Sequence, residues 1–251
     1  MASKTLRVRP GKDVLIDVDI QPAFMPGGGL AVEGGDRILP VVKRVHRHFV
    51  REQRFLTLDR HPKGHISLVS SYVGLKPYHE LRLVWDTPDD GPARAIYDAP
   101  EGRFTPEQIL DYLSKVEGNR QTIWPDHALI GSGEDVLHPA LDPFDYVWAQ
   151  IKGTDPLCDS YSGFRDNLRR QTGFAARIRM HAPAAERVFL TGLAYDYCVG
   201  WTALDAIEEG FEAVVIKDAT RPVNLPGTVT DIEKRFAAKR VRVMQSSDLR
   251  S

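Results

Sequence analysis

Cys198 closes the stretch Gly192-Leu193-Ala194-Tyr195-Asp196-Tyr197-Cys198, which runs from an apolar strand into an amphipathic helix. The thiol therefore sits at or near a helix N-terminus. Free backbone N–H groups and the positive end of the helix dipole favour a thiolate there. The same N–H groups can hold the oxyanion that develops on an attacked carbonyl. Cysteine is also a common small core residue, so its position rather than its type carries this reading. A thiol nucleophile needs a base to take its proton and an acid to return one to the leaving group. Asp19 ends the first buried strand and Lys152 ends a later one. As a set, Asp19 accepts the proton while Lys152 holds Asp19 and adds positive charge. No histidine is close in sequence to Cys198. The other cysteine, Cys158, lies in the polar stretch GTDPLCDSYSGF and is read as incidental.

A second constellation suits a metal ion. Asp59-Arg60-His61 ends another strand, and side chains at i and i+2 of an extended chain point the same way. His65 follows shortly after, and Trp124-Pro125-Asp126-His127 adds an imidazole from far along the chain. A carboxylate with imidazoles suits Zn²⁺, Mn²⁺, Fe²⁺ or Co²⁺, and the lack of thiolates argues against a structural zinc site. A lone D-x-H tripeptide is a weak signal, and His46, His48, His79, His138 and His181 are read as surface or core histidines.

These groups need a scaffold that brings strand ends together. Strands are expected at 14–18, 54–58, 146–151, 188–190, 213–216 and 241–243. Helices are expected from Asp36, where Ile38, Val41, Val42, Val45 and Phe49 recur at helical spacing, from about Tyr197, and over 229–238. Residues 164–170 read as a further helix. Alternating strands and helices predict an α/β fold, three-layered αβα, with a mainly parallel sheet covered on both faces. Such sheets bind ligands outside the carboxyl ends of their strands. Asp19, Asp59, Lys152 and 194–198 all fall at those ends. The segment 66–123 breaks the alternation. Thr105-Pro106-Glu107 starts a helix there, with Ile109, Leu110, Leu113 and Val116 as its apolar stripe. The segment reads as a lid or subunit contact inserted in a single domain spanning 1–251, and its stripe calls for a partner surface at the pocket mouth or on another subunit.

The chain has 251 residues, 42% of them hydrophobic, enough for one α/β domain with a full core. Its 33 basic and 34 acidic residues nearly cancel, so nucleic acid and membrane surfaces are not expected partners. The N-terminus is polar and basic without a secretory apolar core, and no apolar run approaches the roughly 20 residues that span a bilayer. Two cysteines in unlike contexts fit a reducing cytoplasm rather than a disulfide framework.

Taken in order along the chain, these pieces resemble the nicotinamidase branch of the isochorismatase-like cysteine hydrolases. The matching stretches are Asp19-Ile20-Gln21 with Phe24, Asp59-Arg60-His61-Pro62 with His65, Trp124-Pro125-Asp126-His127, Lys152-Gly153-Thr154-Asp155-Pro156, Asp159-Ser160-Tyr161-Ser162 and Asp196-Tyr197-Cys198-Val199. The resemblance implies Cys198 as nucleophile, Asp19 as base and Lys152 as the third catalytic member. It implies one divalent ion, zinc first with manganese or iron as alternatives, on Asp59, His61 and His127. It also implies an oxyanion hole from the Ala194 and Cys198 amides, a cis peptide before Ala194, and Phe24, Trp124 and Tyr161 as walls for a flat ring. The implied reaction is hydrolysis of nicotinamide to nicotinate and ammonia through a thioester, a step of NAD salvage, by a cytoplasmic homo-oligomer. Three departures bear on the pocket: Pro22-Ala23 in place of Asn-Asp, Tyr195 in place of Thr, and the length of 66–123. Competing readings are a relative acting on another small amide (substituted nicotinamide, carbamoyl or maleamate-like), a metal-free vinyl-ether hydrolase, and an inactive binding protein on the same fold.

Overall fold

A computed structural model describes residues 5–86, 94–97 and 100–251. Residues 1–4, 87–93 and 98–99, including part of the expected insertion, lie outside the described residues. The chain begins with β1 (Leu6–Arg7), β2 (Asp13–Val18), α1 (Leu39–His46) and β3 (Arg54–Asp59). The insertion holds β4 (Glu80–Asp86), β5 (Arg94–Tyr97), α2 (Pro106–Lys115) and β6 (Arg120–Thr122). There follow β7 (Trp148–Lys152), α3 (Phe174–His181), β8 (Arg187–Leu193) and α4 (Cys198–Glu208). The chain ends with β9 (Glu212–Arg221), α5 (Thr228–Lys239), β10 (Arg242–Met244) and β11 (Leu249–Arg250).

Six strands form a parallel sheet in the order β10-β9-β8-β2-β3-β7. Strand β2 is buried along its whole length, as a central parallel strand must be. Its side chains alternate between two cores. Leu15 joins Val41, Val42 and Val45 of α1 on one face, whereas Val14, Ile16 and Val18 join α3, α4 and α5 on the other. Each such buried aliphatic stabilises the layer by about 1.5–3 kcal/mol. Asp17 faces the α1 side and is matched by His46 Nε2 and the Tyr146 hydroxyl, each at 2.6 Å. The three-layer parallel expectation therefore holds. Among the described residues, no helix is long and apolar enough to cross a membrane.

The expected elements need four corrections. Residues 164–170 are not helical: Asp166 N–H donates to the Arg170 carbonyl, the Asp166 carboxylate caps the Arg170 N–H at 2.9 Å, and Arg169 takes φ +65°, which closes a turn instead. The helix of this region is α3, further on. Strand β9 continues to Arg221 rather than stopping at Ile216, because a register shift between Leu190 and Gly192 lets Gly192 pair with Thr220 and Leu193 with Arg221. Gly192 has φ +105°, and a Cβ on it would lie 1.9 Å from the Val18 carbonyl oxygen, so only glycine allows that close approach.

The insertion is the third correction. It carries a three-stranded antiparallel sheet, β5-β4-β6, that composition alone did not suggest. The apolar face of α2, Ile109 and Leu113 with Val116, packs with Leu81, Leu83, Phe104 and Ile123 into a small core of its own. The stripe is thereby covered within the segment and does not demand the pocket mouth or a second subunit. Thr105 caps α2 through a box with Gln108. Cys158 is the fourth: it lies in the loop after β7, as read, but its side chain is buried in this same core.

Candidate active site

Three adjacent strands deliver the three charged groups. Asp19 follows β2, Asp59 ends β3 and Lys152 ends β7, with Asp59 and Lys152 directly paired in register. On the other side of β2, β8 ends at Leu193 and leads through a cis Leu193–Ala194 peptide to Cys198, the first residue of α4. One edge of the sheet thus collects all four groups, as the strand ends anticipated.

Lys152 is the hub. Its buried Nζ lies 2.9 Å from Asp19 Oδ2, 3.2 Å from Asp59 Oδ1 and 3.4 Å from Cys198 Sγ, and donates to the Ser160 carbonyl at 2.9 Å. Burial works against the ammonium, but Asp19, Asp59 and Cys198 outweigh it and hold its pKa well above the ordinary value. Asp19 takes φ +47°, and its Oδ1 accepts from Thr57 Oγ1 at 2.5 Å. Burial raises the Asp19 pKa in spite of Lys152. Burial likewise pushes the Cys198 thiol well up, with Lys152 opposing and Asp19 adding to the rise. Burial and Asp19 thus favour the thiol, Lys152 and the N-terminus of α4 favour the thiolate, and Asp19 stands on the same ammonium as an acceptor for the proton.

Tyr197, the residue before α4, provides no side-chain cap. Among the described residues, the Ala194 and Cys198 amides donate to no protein acceptor, so both are free to face a ligand oxygen. Phe24, Trp124 and Tyr161 line the same pocket as Cys198, Asp59, His61 and His127. Trp124 and Tyr161 stand edge-on at 6.3 Å, and Phe24 meets His127 edge-on at 5.5 Å.

Asp59, His61 and His127 are all buried, and their candidate ligand atoms lie within 4.8 Å of one another. His61 Nδ1 sits 3.0 Å from the Gly153 carbonyl and His127 Nδ1 sits 2.8 Å from the Pro125 carbonyl. A carbonyl only accepts, so each Nδ1 carries the proton and each Nε2 of a neutral ring presents a lone pair. Both Nε2 atoms point at Asp59 Oδ2, at 3.1 and 3.6 Å. Lone pairs facing a carboxylate repel unless a cation lies among them, so the donor set fits a divalent ion with open positions. Gly153 permits this crowding: at φ +70°, a Cβ there would lie 2.6 Å from Asp59 Oδ1 and 2.7 Å from His61 Cε1. His65 stands behind His61, ring to ring at 4.4 Å, with its nitrogens matched by Ser67 Oγ at 2.9 Å and the Cys158 carbonyl at 3.2 Å.

The sequence reading missed several pocket residues. Leu30, Asp159, Tyr197, Ala194 as a wall and Val223 also line the pocket. Tyr197 was legible as the neighbour of the nucleophile and Asp159 as the start of the matched stretch Asp159-Ser160-Tyr161-Ser162; Val223 carried no local signal. Of the three departures, Tyr195 points away from the pocket: it packs on Phe236 of α5, and its hydroxyl donates to Glu233 at 3.2 Å. Pro22-Ala23 opens the short turn Pro22–Phe24 that presents Phe24. The described residues of 66–123 do not line the pocket.

The Isochorismatase domain family model matches residues 159–247. A nicotinamidase of Escherichia coli is 35% identical over 214 residues, covering 84% of each chain. One of Acinetobacter baylyi is 30% identical over 236 residues, covering 94% of this chain and 93% of that protein. Among solved structures, PnC1 of L. infantum in complex with nicotinate superposes with a TM-score of 0.72 at 28% identity, covering 98% of each chain. The pyrazinamidase of Pyrococcus horikoshii in complex with zinc gives 0.63 at 26%, covering 93% of this chain and 99% of that one.

Proposed function

The chain belongs to the nicotinamidase branch of the isochorismatase-like hydrolases, and we propose on that ground that it hydrolyses nicotinamide to nicotinate and ammonia. The observation that carries this reading is the joining of Asp19, Lys152 and Cys198 with Asp59, His61 and His127 around one buried aromatic-walled pocket. The ring lies among Phe24, Trp124 and Tyr161, with its carboxamide toward Cys198. Asp19 takes the thiol proton as Sγ attacks the carbonyl carbon, and the carbonyl π electrons move to oxygen, held by the Ala194 and Cys198 amides. Collapse of the adduct breaks the C–N bond, and Asp19 returns the proton to the leaving ammonia. Asp19 then deprotonates a water that attacks the thioester, and the second collapse frees nicotinate and restores the thiol. Lys152 holds Asp19 in place and keeps positive charge beside both the base and the sulfur. Asp59, His61 and His127 would hold a divalent ion, zinc first with manganese or iron as alternatives, which when bound would supply Lewis-acid chemistry for the ring nitrogen.

A pyrazine carboxamide, one of whose two ring nitrogens stands meta to the amide as the nicotinamide nitrogen does, is the second substrate of this class. The solved neighbour named pyrazinamidase favours it. A metal-free vinyl-ether hydrolase has no use for the Asp59, His61 and His127 set.

Ammonia release from nicotinamide tests the activity. If metal-loaded protein turns over another amide but not this one, the substrate is wrong. His127→Ala is expected to raise KM for nicotinamide about tenfold or more, with a smaller change in kcat, and to lower bound metal by elemental analysis. Undiminished turnover by protein shown to be free of metal would remove the ion from the proposal.

A further inference from the structure

We propose that Asp196 is a positioning residue for this reaction: its carboxylate ties the turn that carries the Ala194 and Cys198 amides to the loop that walls the pocket at Val223. The inference rests on the reading of Cys198 as nucleophile and of the two amides as oxyanion donors. Asp196 is buried, 4% exposed, two residues before Cys198. A carboxylate there would ordinarily accept from the N–H two residues on, as an Asx turn does, and would so consume the Cys198 amide. Asp196 instead accepts from Val223 N–H at 2.8 Å, Asn224 N–H at 2.9 Å and Thr228 Oγ1 at 2.6 Å. Three donors on one segment hold the carboxylate there, and the Cys198 amide stays free.

The second tie comes from the extension of β9. Tyr195 N–H donates to the Arg221 carbonyl at 2.9 Å, and Leu193 pairs with Arg221. The turn 194–197 is therefore fastened on its β9 side by backbone and on its loop side by Asp196. Asn224 takes φ +62°, so the loop bends sharply where its amide meets the carboxylate. Val223, whose N–H is one of the three donors, lines the pocket beside Ala194 and Cys198. One carboxylate thus sets both the donors for the oxyanion and a wall for the ring. Its role is indirect, because its described partners all lie in 223–228.

Asp196→Ala removes all three acceptor contacts, and Asp196→Asn keeps one good acceptor. Thr228→Ala removes a single donor and leaves the carboxylate. Loss of one oxyanion donor costs about 10²–10³ in kcat, so a loosened turn should lower kcat about 10–100-fold in Asp196→Ala. Asp196→Asn and Thr228→Ala should fall between that variant and wild type. KM for nicotinamide should move less than kcat. Nicotinaldehyde provides the independent readout. An aldehyde carbon is open to addition of Sγ, which would leave its oxygen in the place of the oxyanion, so inhibition by it should weaken in parallel with kcat. Melting temperature is measured alongside, and a merely structural staple would lower it alone. If the Asp196 variants fold, melt earlier and keep wild-type kcat and wild-type inhibition by nicotinaldehyde, the inference is overturned. If Asp196→Ala does not fold, Asp196→Asn and Thr228→Ala decide by the same two readouts. Wild-type protein that releases no ammonia from nicotinamide would instead defeat the functional reading on which this one stands.

Discussion

Cys198→Ala is expected to abolish nicotinamide turnover, by about 10⁴-fold or more, in a protein that still folds. The sulfur is the only group at that position able to form the thioester. Alanine is well tolerated at the first residue of a helix such as α4, so the fold has little reason to fail. Lys152 loses one neighbour at 3.4 Å but keeps Asp19, Asp59 and the Ser160 carbonyl. The paired control is Cys158→Ala. Burial pushes the Cys158 thiol up to about 12, and its Sγ donates to the Asp159 carbonyl within the core of the insertion. Its removal should leave turnover near wild type and cost stability on the order of 1 kcal/mol, read as a lower melting temperature. Both thiols are buried; what separates them is the base and the ammonium beside Cys198. Turnover that survives in Cys198→Ala would end the thioester mechanism.

Asp19→Asn carries the second large effect, a fall in kcat of about 10²–10⁴. The amide is isosteric and can still accept from Thr57 Oγ1, so position is preserved while basicity is lost. Lys152 retains Asp59 at 3.2 Å, which keeps one carboxylate against the buried ammonium. Because Asp19 acts only through the thiol and the water that follows it, its loss and the loss of Cys198 should not add. The double variant should be no slower than Cys198→Ala alone, as expected for residues that work as one unit. Losses that multiplied in the double variant would show Asp19 acting independently of the sulfur and would remove it as the base.

Much of this site could be read from local pattern. Short apolar runs identified β2, β3, β7 and β8, and period-3.6 apolar spacing identified α1 and α4, because each element must bury a continuous surface. Those elements placed Asp19, Asp59 and Lys152 at strand ends and Cys198 at a helix start, and no tertiary knowledge was needed for that. What pattern could not supply was contact between distant segments. That Asp59 pairs in register with Lys152, and so shares its ammonium with Asp19, follows from β7 choosing the edge beside β3. The turn at 164–170 and the length of β9 depended on a left-handed Arg169 and on a register shift at Gly192, which have no periodic signature.

The sequence by itself determined the chemical groups, the parallel sheet and the edge at which they gather, since residue type and periodicity are local properties. Only the tertiary structure decided how they act. Burial and Asp19 push the Cys198 thiol up while Lys152 opposes them, a balance that no local pattern sets. Carbonyls at Gly153 and Pro125 set which nitrogens of His61 and His127 face Asp59. Leu81 and Leu83 of the sheet within the insertion covered the stripe of α2, and the loop beyond β9 took up the Asp196 carboxylate in place of the amide two residues on. Desolvation, tautomer and hydrogen-bond choice all depend on what stands opposite a group in space, and that is settled by packing between segments far apart in the chain.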